Sequence, residues 1–146
     1  MAEQSTEENE KLVQEVYTAA MTRVHADQTL EEPERMVWEI EGLMQEVNSG
    51  ASYEQYFRWR PVSEISGIVA RLNALGLPEV AKLTQRAIDV AFPRGMPKTD
   101  AEKDSLTDWT EDQATELSQL ADQFTDFNGR IENVLATRYR QLRGDK

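Results

Sequence analysis

Apolar residues recur along this chain every three or four positions, the period of one face of an α-helix. Leu12, Val16, Ala20 and Val24 form one row and Val13, Tyr17 and Met21 the row beside it. That pattern predicts an amphipathic first helix, with Ser5 and Glu8 at capping-box spacing. Pro33, tolerated in a first turn, opens a second helix whose stripe is Met36, Val37, Ile40, Leu43, Met44 and Val47. "NSGAS" (48–52) breaks the period. Ser63 is placed to cap a third helix, with Ile65, Ile68, Val69 and Leu72 inside and Gly76 at its end. Pro78 starts a fourth, with Val80, Leu83, Ala87, Ile88 and Ala91 inside, and Phe92-Pro93 stops it. After the loop "PRGMPK" (93–98), Thr99 and Glu102 repeat the capping-box spacing before a short helix carrying Leu106 and Trp109. Thr110 caps the next stripe, Leu117, Leu120, Ala121, Phe124 and Phe127. Asn128-Gly129 either ends that helix or weakens it, and Ile131, Val134, Leu135, Tyr139 and Leu142 continue the period.

No segment alternates with the period of two that a half-buried strand shows. The expected fold is all-α, a single compact domain of six or seven amphipathic helices over residues 1–146, with residues 1–6 disordered. A chain of this length buries roughly 68–70% of its unfolded surface and needs no covalent staple. With no cysteine it has no disulfide and no thiolate metal site.

"SYEQYFRW" (52–59) gathers Tyr53, Tyr56, Phe57 and Trp59 in a chain with only four Tyr, four Phe and three Trp. Tyr53, Tyr56 and Phe57 fall at i, i+3 and i+4, one face of a helical turn. They read as a corner of the core, with Trp59 as the member left exposed. The other reading is a binding surface, because Arg58 and Arg60 flank Trp59 and could stack or hold phosphate.

Charge modifies this picture more than composition does. The net charge is −11, and it is segregated. Residues 1–50 carry twelve acids against three bases, 51–99 four against seven, 100–126 nine against one, and 127–146 two against five. An acidic balance argues against direct binding of nucleic acid, where basic surface supplies most of the affinity; it is compatible with a basic partner and equally with ordinary solubility. The polar acidic start and the absence of a long apolar run predict no leader and no membrane span, hence a cytoplasmic protein. Two acidic sets have helical spacing. Glu34 and Glu41 are seven apart, as are Glu39 and Glu46; within Asp108, Glu111, Asp112 and Glu116, residues 108 and 111 are three apart, 108 and 112 and again 112 and 116 four apart, and 111 and 116 five apart. Carboxylates three or four positions apart on a helix lie about 5–6 Å apart at Cβ, close to the separation of neighbouring phosphates along a DNA strand. The plain alternative is a solvated helix face.

Catalytic chemistry finds no foothold. His25 is the single histidine and lies near a helix C-terminus, where a cation complements the dipole. A helical di-metal centre needs Glu-x-x-His, and residue 22 is Thr. Neither phosphate-cradling glycine motif occurs. No catalytic residue, metal ligand or cofactor is expected. The tail "RYRQLRGDK" places bases at a helix end, again where the dipole favours them.

One resemblance does emerge. "SYEQYF" followed by "IVARLNALGLPEVAKLTQRAIDVAFPRGMPKTD" resembles a bacterial family of domains of unknown function whose characterised member is DNA mimic protein nineteen. Gln55, Tyr56 and Phe57 match its aromatic motif. Leu75-Gly76, Ala87, Phe92-Pro93, Pro97 and Asp100 match its later positions, and Leu117, Leu120, Asp122 and Phe124 its closing helix. The likeness runs over roughly residues 36–142. Where the family has Gly-Gly this chain reads Ala51-Ser52, and where it has Asn-Ser-Ser-Gly this chain reads "RWRP" (58–61), so the turns flanking the motif are expected to be rebuilt. The resemblance implies an all-α domain, an aromatic motif that is scaffold, and an acidic surface that occupies the DNA-binding face of a transcription regulator. A homodimer would join two such faces into a longer strip. The competing function is an interaction, immunity or adaptor protein that binds through the aromatic corner without mimicry.

Overall fold

The computed structural model describes residues 2–144, with side chains from residue 6 onward. Every regular element in that range is helical, as the periodicity requires. Six long helices are α1 (Ala2–His25), α2 (Glu32–Gly50), α4 (Val62–Ala74), α5 (Pro78–Ala91), α7 (Glu111–Phe124) and α8 (Asn128–Arg143). Two short ones join them, α3 (Glu54–Trp59) and α6 (Asp100–Asp104), and a 3-10 turn over Thr125–Phe127 precedes α8. The helix α1 begins upstream of Ser5, so its start lies earlier than the capping-box spacing suggests. The Ser5 side chain, with those of residues 1–4, lies outside the described residues, while the backbone of residues 2–6, within the stretch expected to be disordered, belongs to α1.

Helix contacts divide the chain into two compact units, residues 1–42 with 128–146, and residues 43–127. In the first, α1 packs along α8. Val13, Val16, Tyr17 and Ala20 of α1, Met36, Val37 and Ile40 of α2 and Ile131, Leu135, Ala136 and Tyr139 of α8 are buried in this unit. Tyr17 stacks on Trp38 with ring centroids 5.2 Å apart, and buried Asn9 is satisfied by Asn133 and Arg140. In the second unit, α5 packs against both α4 and α7. Tyr53, Tyr56, Phe57, Ile65, Ile68, Leu72, Leu77, Leu117 and Phe124 are fully inaccessible there.

The helix ends follow from local chemistry. After α4, the Gly76 amide donates to the Asn73 carbonyl and the Leu77 amide to that of Leu72, the paired bonds of a Schellman cap, with Gly76 at φ +79°. The same pair closes α2, Ala51 to Asn48 and Ser52 to Val47, but here the left-handed residue is Ala51 at φ +51°. Asp27, at φ +57°, closes α1 likewise. Thr110 caps α7 with a full capping box to Gln113, and the Thr99 hydroxyl accepts from the Glu102 amide at the start of α6. Ser63 is not a cap: the N-cap is Pro61, and the Val62 amide, which Pro cannot serve, donates to Asp100 Oδ1 at 2.8 Å. The helix α6 ends at Asp104, leaving Leu106 and Trp109 in the turn before α7. Leu142, expected inside, is 48% exposed one turn beyond the last buried residue of α8, Tyr139.

Candidate acidic binding surface

The aromatic stretch is a core corner built on a single helical turn. Tyr53, Tyr56 and Phe57 have no accessible surface, whereas Trp59 is 70% exposed, since it lies two positions on from Phe57 and faces away from the buried stripe. Phe57 meets Tyr56 and Phe92 edge-on and stacks with Tyr53, which meets Phe124 edge-on. The Tyr53 hydroxyl shares a hydrogen bond with Thr84 at 3.1 Å, and burial drives its pKa well above the ordinary tyrosine range. Gln55 donates to Glu46 Oε1 at 2.8 Å, tying the motif to α2.

The acids of α2 fare differently from what their spacing suggests. Glu41 is wholly buried: Gln14 donates to its Oε2 at 2.8 Å, and it hydrogen-bonds Glu132. It therefore adds nothing to an acidic surface, because the helical stripe that buries Ile40 and Met44 also turns residue 41 inward. Burial, then repulsion from Glu10, raises the pKa of Glu132, and hydrogen bonds from Gln14 and Glu41 partly offset this. Glu34 takes Arg23 at 2.7 Å and is largely covered. Glu46 lies 3.8 Å from the buried guanidinium of Arg60, which also reaches Glu64. Glu39 is half-buried. Most of this set is occupied by the chain itself.

The second acidic set is open. Asp108, Glu111 and Asp112 are exposed, Asp108 in the turn before α7 rather than on it, and Glu111 and Asp112 in the first turn of α7, where the dipole favours negative charge. Among the described residues the carboxylates of Asp104, Asp108, Glu111 and Asp112 have no hydrogen-bond or ion-pair partner. Glu116 pairs with Arg86 at 3.0 Å. That pair borders an open groove of about 770 Å³ between α5 and α7, with Lys82 and Arg86 against Glu79, Asp112 and Glu116, so its charge is mixed.

One residue that spacing did not single out decides the character of this segment. Lys103 is the only base between 100 and 126, and it is 2% exposed. Its ammonium donates to the carbonyls of Arg58 at 3.0 Å and Arg60 at 2.6 Å, capping the C-terminal end of α3. The lone cation is withdrawn from the surface, and what the segment presents to water is acid. A solitary base among nine acids was the available sign.

His25 is exposed at the end of α1. Among the described residues no group of His, Asp or Glu is arranged to hold a metal, and no helix is long and apolar enough to cross a membrane. Comparison with curated proteins and with solved structures found no match. A family model described as DMP19-like protein matches residues 28–143, four-fifths of the sequence from the end of α1 through α8, and the chain therefore belongs to the DMP19-like protein family.

Proposed function

We propose that this protein is a non-enzymatic acidic binding protein that acts as a DNA mimic, occupying the DNA-binding surface of a transcription regulator or another basic nucleic-acid-binding protein. The observation that carries this reading is the segment from residue 100 to 126: nine acids, six of them exposed carboxylates with no partner among the described residues, and a single base turned inside. The family name supports it. A surface of one sign raises the encounter rate with an opposite one and loses that advantage as salt screens it, with a Debye length of about 8 Å at physiological ionic strength.

Of the two acidic sets that helical spacing picks out, the second supplies most of this surface. Glu34, Glu41 and Glu46 are engaged within the chain, so the working surface is assigned to Asp104, Asp108, Glu111 and Asp112. A second reading is favoured by one observation, the 70% exposure of Trp59, and makes the protein an adaptor or immunity protein that docks through that ring.

The experiment is capture from a cell lysate on immobilised protein, eluted with stepped salt and, separately, with duplex DNA. Mimicry predicts a DNA-binding protein released between about 0.1 and 0.5 M salt, displaced by the duplex, and lost from the D108N/E111Q/D112N variant. A partner that ignores duplex DNA and survives the triple substitution sinks the mimic. If Trp59→Ala releases that partner, the adaptor reading replaces it.

A further inference from the structure

Gln14 of α1, Glu41 of α2 and Glu132 of α8 converge within the unit formed by residues 1–42 and 128–146. Glu41 has no accessible surface and Glu132 is 9% exposed. The Gln14 side-chain amide donates to Glu41 Oε2 at 2.8 Å, and Glu132 hydrogen-bonds both Gln14 and Glu41. An ionised carboxylate only accepts hydrogen bonds, so two carboxyl groups bonded to each other need a proton between them. Were both ionised, two like charges would stand side by side where water is excluded, and each alone is costly there. Gln14 has two amide hydrogens, enough to serve both carboxyls, but it brings no charge.

The surrounding charges strengthen the need for that proton. Among the described residues the charge that bears on Glu132 is that of Glu10, one turn before Gln14 on α1, and it repels. Bases on the same three helices are turned to other groups: Arg23 to Glu34, Arg35 to the Leu30 carbonyl, Arg140 to Asn9 and Arg143 to the Tyr139 hydroxyl. Lys11 and Arg130 are exposed and Arg138 is partly so, where water screens them. We propose that Glu41 and Glu132 hold a single shared proton in the folded protein, and that this proton is a latch tying α2 and α8 to each other and, through Gln14, to α1. The pair titrates as one group with two steps, not as two separate residues. With the proton in place the three side chains form one hydrogen-bonded set; when it leaves, two carboxylates face each other and the unit loosens. The closed unit holds the proton more tightly than an opened one does. The latch is therefore fully closed below the ordinary carboxyl value of about 4.3 and loses its hold as pH rises from there to the step at which the closed pair gives up its proton. This device is independent of the acidic-surface reading, since none of its residues lies between 100 and 126.

The test has two readouts on the full chain. In the first, glutamate carrying carbon-13 at the side-chain carboxyl is followed by NMR from about pH 3 to 9, with Glu41→Gln and Glu132→Gln assigning the two signals. Both signals should move in the same two steps, the upper one above about 4.3, and Glu10→Gln should lower that upper step by removing its repulsion. In the second, amide hydrogen exchange reads local opening, with the intrinsic pH dependence of the exchange chemistry divided out. The opening constant of α1 and α8 amides should rise by up to about tenfold per pH unit between about 4.3 and the upper step, the effect of releasing one proton, and level off above it. Amides of α5 and α7, in the other unit, should keep a flat profile. Glu132→Gln, whose amide donates where the proton sat, should flatten α1 and α8 too, and Glu41→Gln should do the same. Independent single steps near about 4.3 for the two carboxyls overturn the shared proton. A shared proton without the rise in α1 and α8, or with an equal rise in α5 and α7, overturns the latch.

Discussion

The cap of α2 offers the cleanest quantitative test of how this sequence builds its fold. Ala51 occupies the position of a Schellman cap where the chain must turn left-handed, at φ +51°, and the two cap bonds to Asn48 and Val47 hold it there at 3.4 and 3.3 Å. An L-residue in that region brings its Cβ against the backbone at a cost of about 1–2 kcal/mol. Glycine escapes that cost but gains freedom in the unfolded chain, which returns about 0.4–1 kcal/mol. Ala51→Gly should therefore stabilise the protein by about 0.5–1 kcal/mol, the difference of the two terms, which raises the Tm by about 1–4 °C for a chain of this size. Ala51→Val, with a branched Cβ, should move stability the other way. Asp27→Gly should be nearly neutral, because aspartate tolerates the left-handed region better than alanine does. Circular dichroism through thermal and urea unfolding reads all three. A glycine variant no more stable than the parent, beside a valine variant no less stable, would refute the strain at Ala51 and with it the account of this turn.

Other outcomes follow from the buried polar groups and the aromatic corner. Lys103→Met should destabilise by about 2–3 kcal/mol, because two carbonyls at the end of α3 lose a charged donor; a urea midpoint equal to the parent's contradicts it. Glu132 carries a pKa raised by burial, so the folded state holds its proton more tightly than the unfolded chain does. That group favours folding below the unfolded carboxyl value of about 4.3 and loses the advantage as pH rises through the folded value. Glu132→Gln should then stabilise at neutral pH by about 1 kcal/mol and flatten the decline in stability between acid and neutral pH; an unchanged slope in melts from pH 4 to 8 counts against it. Phe57→Ala should cost about 3–5 kcal/mol, and Trp59→Ala, on an exposed ring, less than about 0.5 kcal/mol. Comparable losses for the two would mean that the corner is not packed as described.

The helices were legible in the sequence because burial needs a repeating stripe, and in α2, for example, the buried Met36, Val37, Ile40, Leu43, Met44 and Val47 recur at the period that supplies one. Thr110 and Gly76 announced their caps by residue type alone, and the i, i+3, i+4 spacing of Tyr53, Tyr56 and Phe57 announced a buried face. Membership of the family was likewise carried by local motifs. The candidate surface was only half legible. Glu34, Glu41 and Glu46 share helical spacing with a true solvated face, yet spacing does not say what stands opposite, and Gln14, Arg23 and Gln55 arrive from other helices. Lys103 shows the same limit from the other side: its charge counts in any sum over the sequence, but only the carbonyls of Arg58 and Arg60 remove it from the surface. Periodicity fixes which face of a helix is apolar, because that depends on residues a turn apart. Whether a carboxylate or an ammonium meets water or a partner depends on groups far along the chain, and those meet only in the folded molecule.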